Sequence, residues 1–361
     1  EDLTPVQTLT KRYTRQLERI SRVKSDDVLD KTLNAMTLTY DPHSNYFPPV
    51  DAMELNRQTT LQLEGIGVSI RPERGNEDYT KIETIVEGGP ASKSGQVKSG
   101  DRIIGVAQDG EKMVDVIGWP SNEIVGLIRG KRGTKVTIRL LSSGAPMSQA
   151  RNVTITRDVI QEEDAGVRSR TVNVTRDGQQ YTFGVIEIPS FYLNYRARRA
   201  GTEYRSVSED TNNALKTLAA KNVSGIIIDL RNNPGGSLEE VARMLGQVIK
   251  SGPVVQIRDG NGNLSVFEDD DNGAQTYAGP LAVMVNLASA SASEIYSAAI
   301  QDYERGIVIG STTTGKGTAQ VQLDNLAHGQ ATLTQRKFYR VTGGSTQNKG
   351  VIPDVKLVDI Y

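Results

Sequence analysis

Three serines separated by single alanines follow an apolar segment and precede a segment with helical periodicity. The apolar segment is "GPLAVMVN", and the serines of "SASAS" are Ser289, Ser291 and Ser293. An apolar strand followed by a helix is typical of α/β sheets, whose active sites form at the carboxyl ends of the strands. A serine at such a junction can act as a nucleophile if a base lies near it.

Ser291 also has a purely structural interpretation. Ser291 and Glu294 fit the pattern SxxE, a capping box in which the serine caps a helix and the glutamate reaches back to the backbone. The spacing does not separate this role from a nucleophilic one, so the residues alone leave both open.

The composition leaves few candidates for the base. The 361 residues include no cysteine and two histidines, His43 and His328. Thiol catalysis, disulfides and thiolate metal sites are therefore excluded, and a multi-histidine metal site is not expected. Both histidines lie in turn-like segments, which favours surface positions over a Ser-His-Asp triad. Lysine is then the best remaining base.

Lys316 lies between two glycines in "STTTGKGTAQ", directly after the strand-like "IVIG", so it can return to the same sheet edge as Ser291. A lysine is a base only when neutral, and burial away from carboxylates lowers its pKa from about 10.4 toward about 7 or 8. No acidic residue occurs from Ser311 to Gln322, which suits this requirement. Gln320 lies on the same side of an extended strand, so its amide can orient the amine without adding charge.

The same loop partly fits a phosphate-binding motif. Gly310, Gly315 and Lys316 match most of GxxxxGK[ST], but Gly317 stands where a hydroxyl residue would reach Mg²⁺. The residues "TAQVQL" that follow alternate like a strand, so no helix N-terminus would face a phosphate. Both departures argue against nucleotide binding.

The net charge and the hydropathy of the chain argue against certain binding partners and against a membrane-spanning helix. With 42 basic and 43 acidic residues the net charge is −1, which argues against a nucleic acid or anionic membrane held by bulk electrostatics. No apolar run reaches the roughly 18 to 20 residues of a membrane helix, and no signal peptide is recognisable. Residue 1 is Glu rather than Met, so we expect a trimmed segment that lacks its targeting information.

Changes in sequence pattern predict three parts. Residues 1–60 are predicted to be a helical lead-in that packs on the core, and the turn-rich "DPHSNYFPP" interrupts its helical pattern. Residues 61–157 alternate strands and glycine turns, which predicts a β-rich module. Residues 158–361 include the buried run "GIIIDL" and repeat strand, helix, strand, which predicts an α/β sheet with βαβ crossovers.

The β-rich part resembles a PDZ domain in "EGIGV" and in "GGPASKSGQVKSGD". In that family the loop before the second strand offers backbone N–H groups to a peptide's terminal carboxylate, and here that loop is Gly65, Ile66 and Gly67. Glycines let amides converge on an anion, and the peptide adds as an extra strand beside a helix. The alternative is that Gly65 and Gly67 only form a tight turn.

The chain as a whole resembles the C-terminal processing, or tail-specific, proteases. The segments that carry the resemblance are "SASASEI", "TGKGTAQ", "DLRNNPGGSL" and "FYRVTGGSTQNKGVIPDV". It implies an α/β multidomain fold, with a crotonase/ClpP-like core and an inserted PDZ domain. It further implies a periplasmic serine endopeptidase without metal or cofactor, protein substrates with free apolar C-termini, and an adaptor lipoprotein as a potential partner.

The resemblance also implies roles for individual residues. Ser291 attacks the scissile carbonyl, Lys316 takes its proton, and Gln320 orients the lysine; the 25-residue separation of serine and lysine matches the family. The oxyanion would bind backbone N–H groups of the following residues: Ala292, and either Gly235 or Gly236. A catalytically silent PDZ scaffold is the alternative function. Full-length relatives carry further helical segments at both ends, so substrate capture or adaptor docking can be incomplete here.

Overall fold

The computed structural model describes residues 4–21, 23, 25–161, 166–201, 204–268, 275–324 and 326–358. The helices of this part are α1 Pro5–Ser21, α2 Ser25–Tyr40, α3 Pro49–Thr60, α4 Pro90–Ser94, α5 Ser121–Ile128, α6 Tyr195–Arg199, α7 Val207–Ala220, α8 Leu238–Gly246 and α9 Ala292–Asp302, with a 3-10 turn at Met147–Gln149. No helix in these ranges is long and apolar enough to cross a bilayer.

The strands of the first half are β1 Asn45–Phe47, β2 Gln62–Gly65, β3 Val68–Glu73, β4 Asn76–Ile85, β5 Arg102–Gln108, β6 Val114–Asp115, β7 Lys135–Leu141, β8 Arg151–Thr156 and β9 Asp158–Gln161. Those of the second half are β10 Arg168–Arg176, β11 Gln179–Glu187, β12 Gly225–Asp229, β13 Pro253–Asp259, β14 Leu264–Glu268, β15 Leu281–Val285, β16 Ile307–Gly310, β17 Thr318–Leu323, β18 Gln330–Tyr339 and β19 Val355–Lys356.

The central sheet has the strand order β10-β11-β12-β15-β16-β19, and every pairing after the antiparallel β10-β11 pair is parallel. The crossovers advance in one direction, and α8 contacts both α7 and α9, so these three helices share one face of the sheet. Their core includes the fully buried Ile228, Val283 and Val308 from three successive strands. The carboxyl ends of β12, β15 and β16 therefore lie side by side at one edge.

A second, antiparallel sheet of order β1-β18-β13-β14, with β17 also paired to β18, packs beside this core. Its strand β1 belongs to the N-terminal part of the chain and pairs Asn45 with Thr332. This pairing brings the turn before β1 next to the β17-β18 hairpin.

The β-rich module has its own sheet, β3-β4-β5-β7-β8 with β6 on β5, and its own hydrophobic core. Ile82, Ile103, Ile124 and Ile138 are fully buried there, and Trp119, the single tryptophan, packs against them. The antiparallel ribbon of β2 and β9 forms both connections to the rest of the chain. The α/β class and the β-rich module predicted from the sequence are both confirmed.

Arg157, at the end of β8, is a buried cation that holds this module together. Its side chain is 3% exposed and donates hydrogen bonds to the Ile128 and Leu127 carbonyls at the end of α5, at 2.8 and 3.1 Å. Gln108 Oε1 accepts a further bond at 2.7 Å, and burial lowers the pKa of the guanidinium. The planar fork thus ties the C-terminal end of α5 to the sheet.

We predict that Arg157→Lys lowers the unfolding free energy of the module by about 1–3 kcal/mol, because an ammonium cannot satisfy all the acceptors that the guanidinium binds. Denaturant unfolding followed by Trp119 fluorescence measures this change. The control is Arg132→Lys, whose side chain is 69% exposed, and which should stay within about 0.5 kcal/mol of the parent. Equal midpoints for the two variants would contradict the prediction.

Candidate active site

Ser291 occupies a strained backbone position between β15 and α9. It caps α9 with φ 56° and ψ −112°, a region that non-glycine residues rarely adopt and that costs about 1–3 kcal/mol. The helix that follows is almost entirely buried, with Tyr296 1% and Ile300 0% exposed. A well-packed helix therefore holds the serine in a conformation that it would not adopt by itself.

The other two serines of the run are structural. Ser289 is fully buried and its hydroxyl donates to the Leu230 carbonyl at 2.8 Å. Ser293 is also fully buried and donates to the Asn233 carbonyl at 3.0 Å. Ser291 alone of the three is partly exposed, so only its hydroxyl is open to a substrate.

Asn233 fixes the loop after β12 to its neighbours. It is 0% exposed, and its Nδ2 donates to the Ile188 carbonyl at 2.9 Å. Its Oδ1 accepts from the Gly235 N–H at 2.8 Å, and its carbonyl accepts from the Ala290 N–H at 3.0 Å. This asparagine was not singled out from the sequence, because its partners come from three separate segments of the chain.

Gly235 lies against the serine loop, and the next residue, Gly236, lies against Phe191; their φ angles are 104° and 144°. A Cβ on Gly235 would lie 2.8 Å from Ser291 Cβ and 3.0 Å from the Ala292 nitrogen, so only glycine fits there. Its N–H is already bonded to Asn233. The Gly236 N–H makes no hydrogen bond within the described residues. The Ala292 N–H also has no acceptor there, because Ala292 is the first residue of α9 and the first N–H groups of a helix have no acceptor within the helix. Gly236 and Ala292 are thus the donors left open.

Glu294 joins the serine to the lysine loop. Its carboxylate is fully buried, and Oε2 accepts the backbone N–H groups of both Ser291 and Lys316 at 2.8 Å. Oε1 accepts the Gly315 N–H and the Thr313 hydroxyl, each at 2.7 Å. Burial raises the pKa of this carboxyl while the four hydrogen bonds lower it. The capping-box hydrogen bond from the Ser291 N–H to the Glu294 carboxylate is therefore present. The same carboxylate also binds the loop that carries Lys316, about twenty residues later in the chain.

Lys316 lies in a partly buried position, and burial lowers the pKa of its amine. The charges of Glu294 and Asp41 act in the opposite direction. The expectation that no carboxylate lies near this lysine is thus wrong, because the fold brings in two from distant segments, yet burial remains the larger effect. No hydrogen bond joins the Ser291 hydroxyl to the Lys316 amine in the described part of the chain, and catalytic hydrogen bonds are often long before substrate binds.

The glycines on either side of Lys316 allow a close backbone contact. A Cβ on Gly315 would lie 3.1 Å from the Gly350 nitrogen, and one on Gly317 would lie 2.8 Å from the Gln347 nitrogen. The Gly317 N–H donates to Gln347 Oε1 at 2.7 Å. The strand β17 follows this loop, as the alternation predicted, and no helix begins there to bind a phosphate.

Gln320 lies on β17, and its amide nitrogen donates to the Thr318 and Thr334 hydroxyls at 3.1 and 2.9 Å. The two histidines are not among these residues: His43 is in the turn before β1, and His328 is in the loop before β18, where its Nε2 lies 3.5 Å from Asp30 Oδ1. Among the residues whose structure is described, no cluster of three or more His, Cys, Asp or Glu side chains is arranged for a metal ion.

The predicted carboxylate-binding loop lies in the β-rich module, separate from the serine and lysine. The Ile66 carbonyl accepts the Ala91 N–H at 2.8 Å, and the Ile66 side chain belongs to the module core. Gly67 has φ 78°, and its carbonyl accepts the Val86 N–H at 2.9 Å. The residues predicted to bind a carboxylate and those predicted to carry catalysis therefore lie in different parts of the fold.

Three family profiles match the chain. They are "Tail specific protease N-terminal domain" at residues 1–50, "PDZ domain" at 54–141 and "Peptidase family S41" at 182–357. Among solved structures, the photosystem II D1 C-terminal processing protease aligns over 92% of this chain and 82% of its own, with a TM-score of 0.51 and 26% identity.

Curated relatives extend the match over nearly the whole chain. The tail-specific protease of Haemophilus influenzae is 40% identical over 98% of this chain, and the carboxy-terminal processing protease CtpA of Bacillus subtilis is 30% identical over 93%. The chain spans 49% of the first relative's length and 65% of the second's. The resemblance inferred from the sequence is confirmed, and the chain belongs to peptidase family S41.

Proposed function

We propose that this chain is the protease core and PDZ module of a serine endopeptidase that cleaves proteins captured by their C-terminal tails. The observation that carries the proposal is the single carboxylate oxygen of Glu294, which accepts the N–H groups of both Ser291 and Lys316. It brings a strained, partly exposed serine together with a lysine whose pKa is lowered by burial. A Ser-Lys dyad requires a serine hydroxyl and a neutral lysine amine close to each other.

In the acylation step, Ser291 Oγ attacks the scissile carbonyl carbon while its proton passes to the neutral Lys316 Nζ. The oxyanion that forms is proposed to accept hydrogen bonds from the N–H groups of Ala292, next to the serine, and Gly236, since neither N–H has another acceptor among the described residues. The intermediate collapses as the C–N bond breaks, and the Lys316 ammonium returns the proton to the leaving amine. The products are an acyl-enzyme and the free amino end of the released fragment.

In the deacylation step, water attacks the ester and gives a proton to Lys316. Collapse of the second oxyanion intermediate releases the new carboxyl end and returns the proton to Ser291. Lysine thus acts twice as a base and twice as an acid, and every proton stays within the dyad and the substrate. Gln320 is proposed to orient the lysine amine in both steps.

Tail recognition is assigned to the PDZ module. Strand β3 lies at the edge of the module's sheet and contacts α5, so an extended peptide can pair with β3 in the groove beside α5. The loop of Gly65, Ile66 and Gly67 precedes β3 and would bind the terminal carboxylate through its backbone N–H groups. The relatives' names, tail-specific and carboxy-terminal processing protease, support the same assignment.

The compartment and the partners complete the proposal. A periplasmic location is proposed from the resemblance to tail-specific proteases; a chain free of cysteine is compatible with an oxidising and with a reducing compartment. Substrates would be unfolded proteins with apolar, uncapped tails, and an adaptor lipoprotein would present some of them. No metal or cofactor takes part in the proposed steps.

We predict that Ser291→Ala and Lys316→Ala each lower kcat at least about 10³-fold, because each removes one half of the dyad. The assay follows cleavage of an unfolded reporter that ends in several apolar residues with a free carboxylate. The matched controls are Ser169→Ala and Lys337→Ala, which change exposed residues of the same types and should keep parental rates. Full activity in either dyad variant would refute the assignment, and an inactive parent would favour a silent scaffold.

The pH profile of kcat/KM should rise as Lys316 loses its proton. Because burial lowers this pKa, the neutral base is present below the ordinary lysine value of 10.5, and activity is lost as pH falls through the lowered value. The position of this limb is found from rates measured between about pH 6 and pH 11.5, on a substrate that has no titrating groups in this range. A limb at or above 10.5 would contradict a desolvated lysine base.

Amidation of the substrate tail should lower kcat/KM by about 10- to 100-fold, because it removes the charge that the backbone N–H groups of the module would bind. Binding of free and amidated peptides to Ser291→Ala, measured by fluorescence anisotropy, separates recognition from chemistry. Equal affinity of both peptides would refute tail recognition and leave the dyad assignment untouched.

A further inference from the structure

The turn before β1 reaches the proposed active site from the other end of the chain. Asp41 Oδ1 accepts the Thr334 hydroxyl at 2.7 Å and the His43 N–H at 2.8 Å. The fully buried Ser44 accepts the Thr334 N–H at 3.1 Å. The pairing of β1 with β18 fixes this turn against the strand next to β17. A residue almost three hundred positions before Thr334 thus becomes its hydrogen-bond partner.

The hydrogen bonds that start at Asp41 have a defined direction. A carboxylate only accepts, so the Thr334 hydroxyl must use its single proton toward Asp41. Thr334 Oγ1 then acts only as an acceptor toward Gln320, which means that the amide nitrogen faces it, at 2.9 Å. Burial alone would raise the pKa of Asp41, but hydrogen bonds from the Thr334 hydroxyl and from the backbone N–H groups of His43 and Ser44 keep that pKa below its ordinary range, so the carboxylate stays ionised.

This direction decides which end of the Gln320 amide is free. The second amide proton bonds the Thr318 hydroxyl at 3.1 Å, so both donors are used. The oxygen Oε1 makes no hydrogen bond within the described residues. An amide side chain could otherwise present either its oxygen or its nitrogen, and the two orientations have opposite hydrogen-bonding character. Asp41 therefore selects the orientation in which the oxygen is the open atom.

A neutral lysine amine has two N–H donors and one lone pair. If an acceptor takes one N–H, the lone pair is directed elsewhere and can receive the serine proton; if a donor faces the amine instead, it competes for that lone pair. Lys316 lies four residues before Gln320, and the charge of Asp41 acts on its amine. If the Gln320 amide faces this amine, its polarity decides whether Lys316 can act as a base.

We propose that Asp41 is a positioning residue for the Ser291–Lys316 dyad: through the Thr334 hydroxyl it orients Gln320 so that Oε1 accepts an N–H of the Lys316 amine. The inference rests on the proposed function and adds to it a residue from the N-terminal segment. Asp41 transfers no proton itself. Its effect is to set the direction of three successive hydrogen bonds.

The first test compares variants of the full chain in the tail-cleavage assay. Asp41→Asn and Thr334→Val should lower kcat by about 10- to 100-fold with KM within about twofold, because they disturb the base and leave substrate binding intact. Thr334→Ser keeps the hydroxyl and should retain most of the activity. Asp51→Asn, an exposed aspartate in α3, is the matched control with parental rates. Parental kcat in folded Asp41→Asn would overturn the proposal.

The second test does not depend on turnover. The Lys316 pKa is read from its ¹³Cε shift by NMR, with the signal assigned by Lys316→Arg. Asp41 and Glu294 are the carboxylates whose charges raise this pKa, so Asp41→Asn should lower it and move the acid limb of the pH profile to lower pH.

Ser44→Ala is the structural control for the NMR test. It breaks the Ser44 bond to the same strand without touching the amide, and it should lower the thermal midpoint while leaving the Lys316 pKa in place. An unchanged Lys316 pKa in Asp41→Asn, or an equal change in Ser44→Ala, would refute the role of Asp41. If the parent cleaves nothing, the proposed function fails, and the titration still decides whether Asp41 acts on Lys316.

Discussion

A single buried carboxylate holds the site of this protein together. Glu294 accepts four hydrogen bonds, from the N–H groups of Ser291, Gly315 and Lys316 and from the Thr313 hydroxyl. An uncompensated charge in a protein interior costs several kcal/mol, and the four donors offset part of that cost; burial remains the larger effect and raises the pKa of the Glu294 carboxyl. Because both carboxylate oxygens have two donors, the lysine loop has one allowed position relative to the helix that carries the serine.

The same carboxylate creates an electrostatic conflict at the lysine. Glu294 and Asp41 both favour the ammonium form of Lys316, whereas burial favours the neutral amine. Burial is the larger effect, so the pKa falls although two negative charges are near. The donors to Glu294 in the described part of the chain are three backbone N–H groups and the Thr313 hydroxyl, and the Lys316 amine is not among them. The carboxylate can therefore position the base without forming an ion pair with it.

The module is attached to the rest of the chain by a strand ribbon and by polar contacts of α3. The β2-β9 ribbon carries both connections, and Glu54 of α3 binds Arg129 at the end of α5 at 2.8 Å. Hydrogen bonds from Arg57 and Arg129 lower the pKa of Glu54 to about 2 against the effect of burial. Arg129 follows α5, the helix beside the proposed peptide groove, so the orientation of that groove relative to α3 depends on these few polar contacts.

The sequence by itself determined the local features: the apolar run of β12, the strand after Lys316, the SxxE start of α9 and the glycines that permit close backbone contact. It also determined the family, because the serine, lysine and glycine motifs are short and contiguous. Only the tertiary structure decided that the Gly235 N–H binds Asn233 while the Gly236 N–H has no acceptor among the described residues. It also decided that the charges of Glu294 and Asp41 both raise the pKa of Lys316. These contacts join segments as far apart as β1 and β18. Their partners are set by how sheets pack, and a hydrogen bond between distant residues leaves no periodic pattern in the chain.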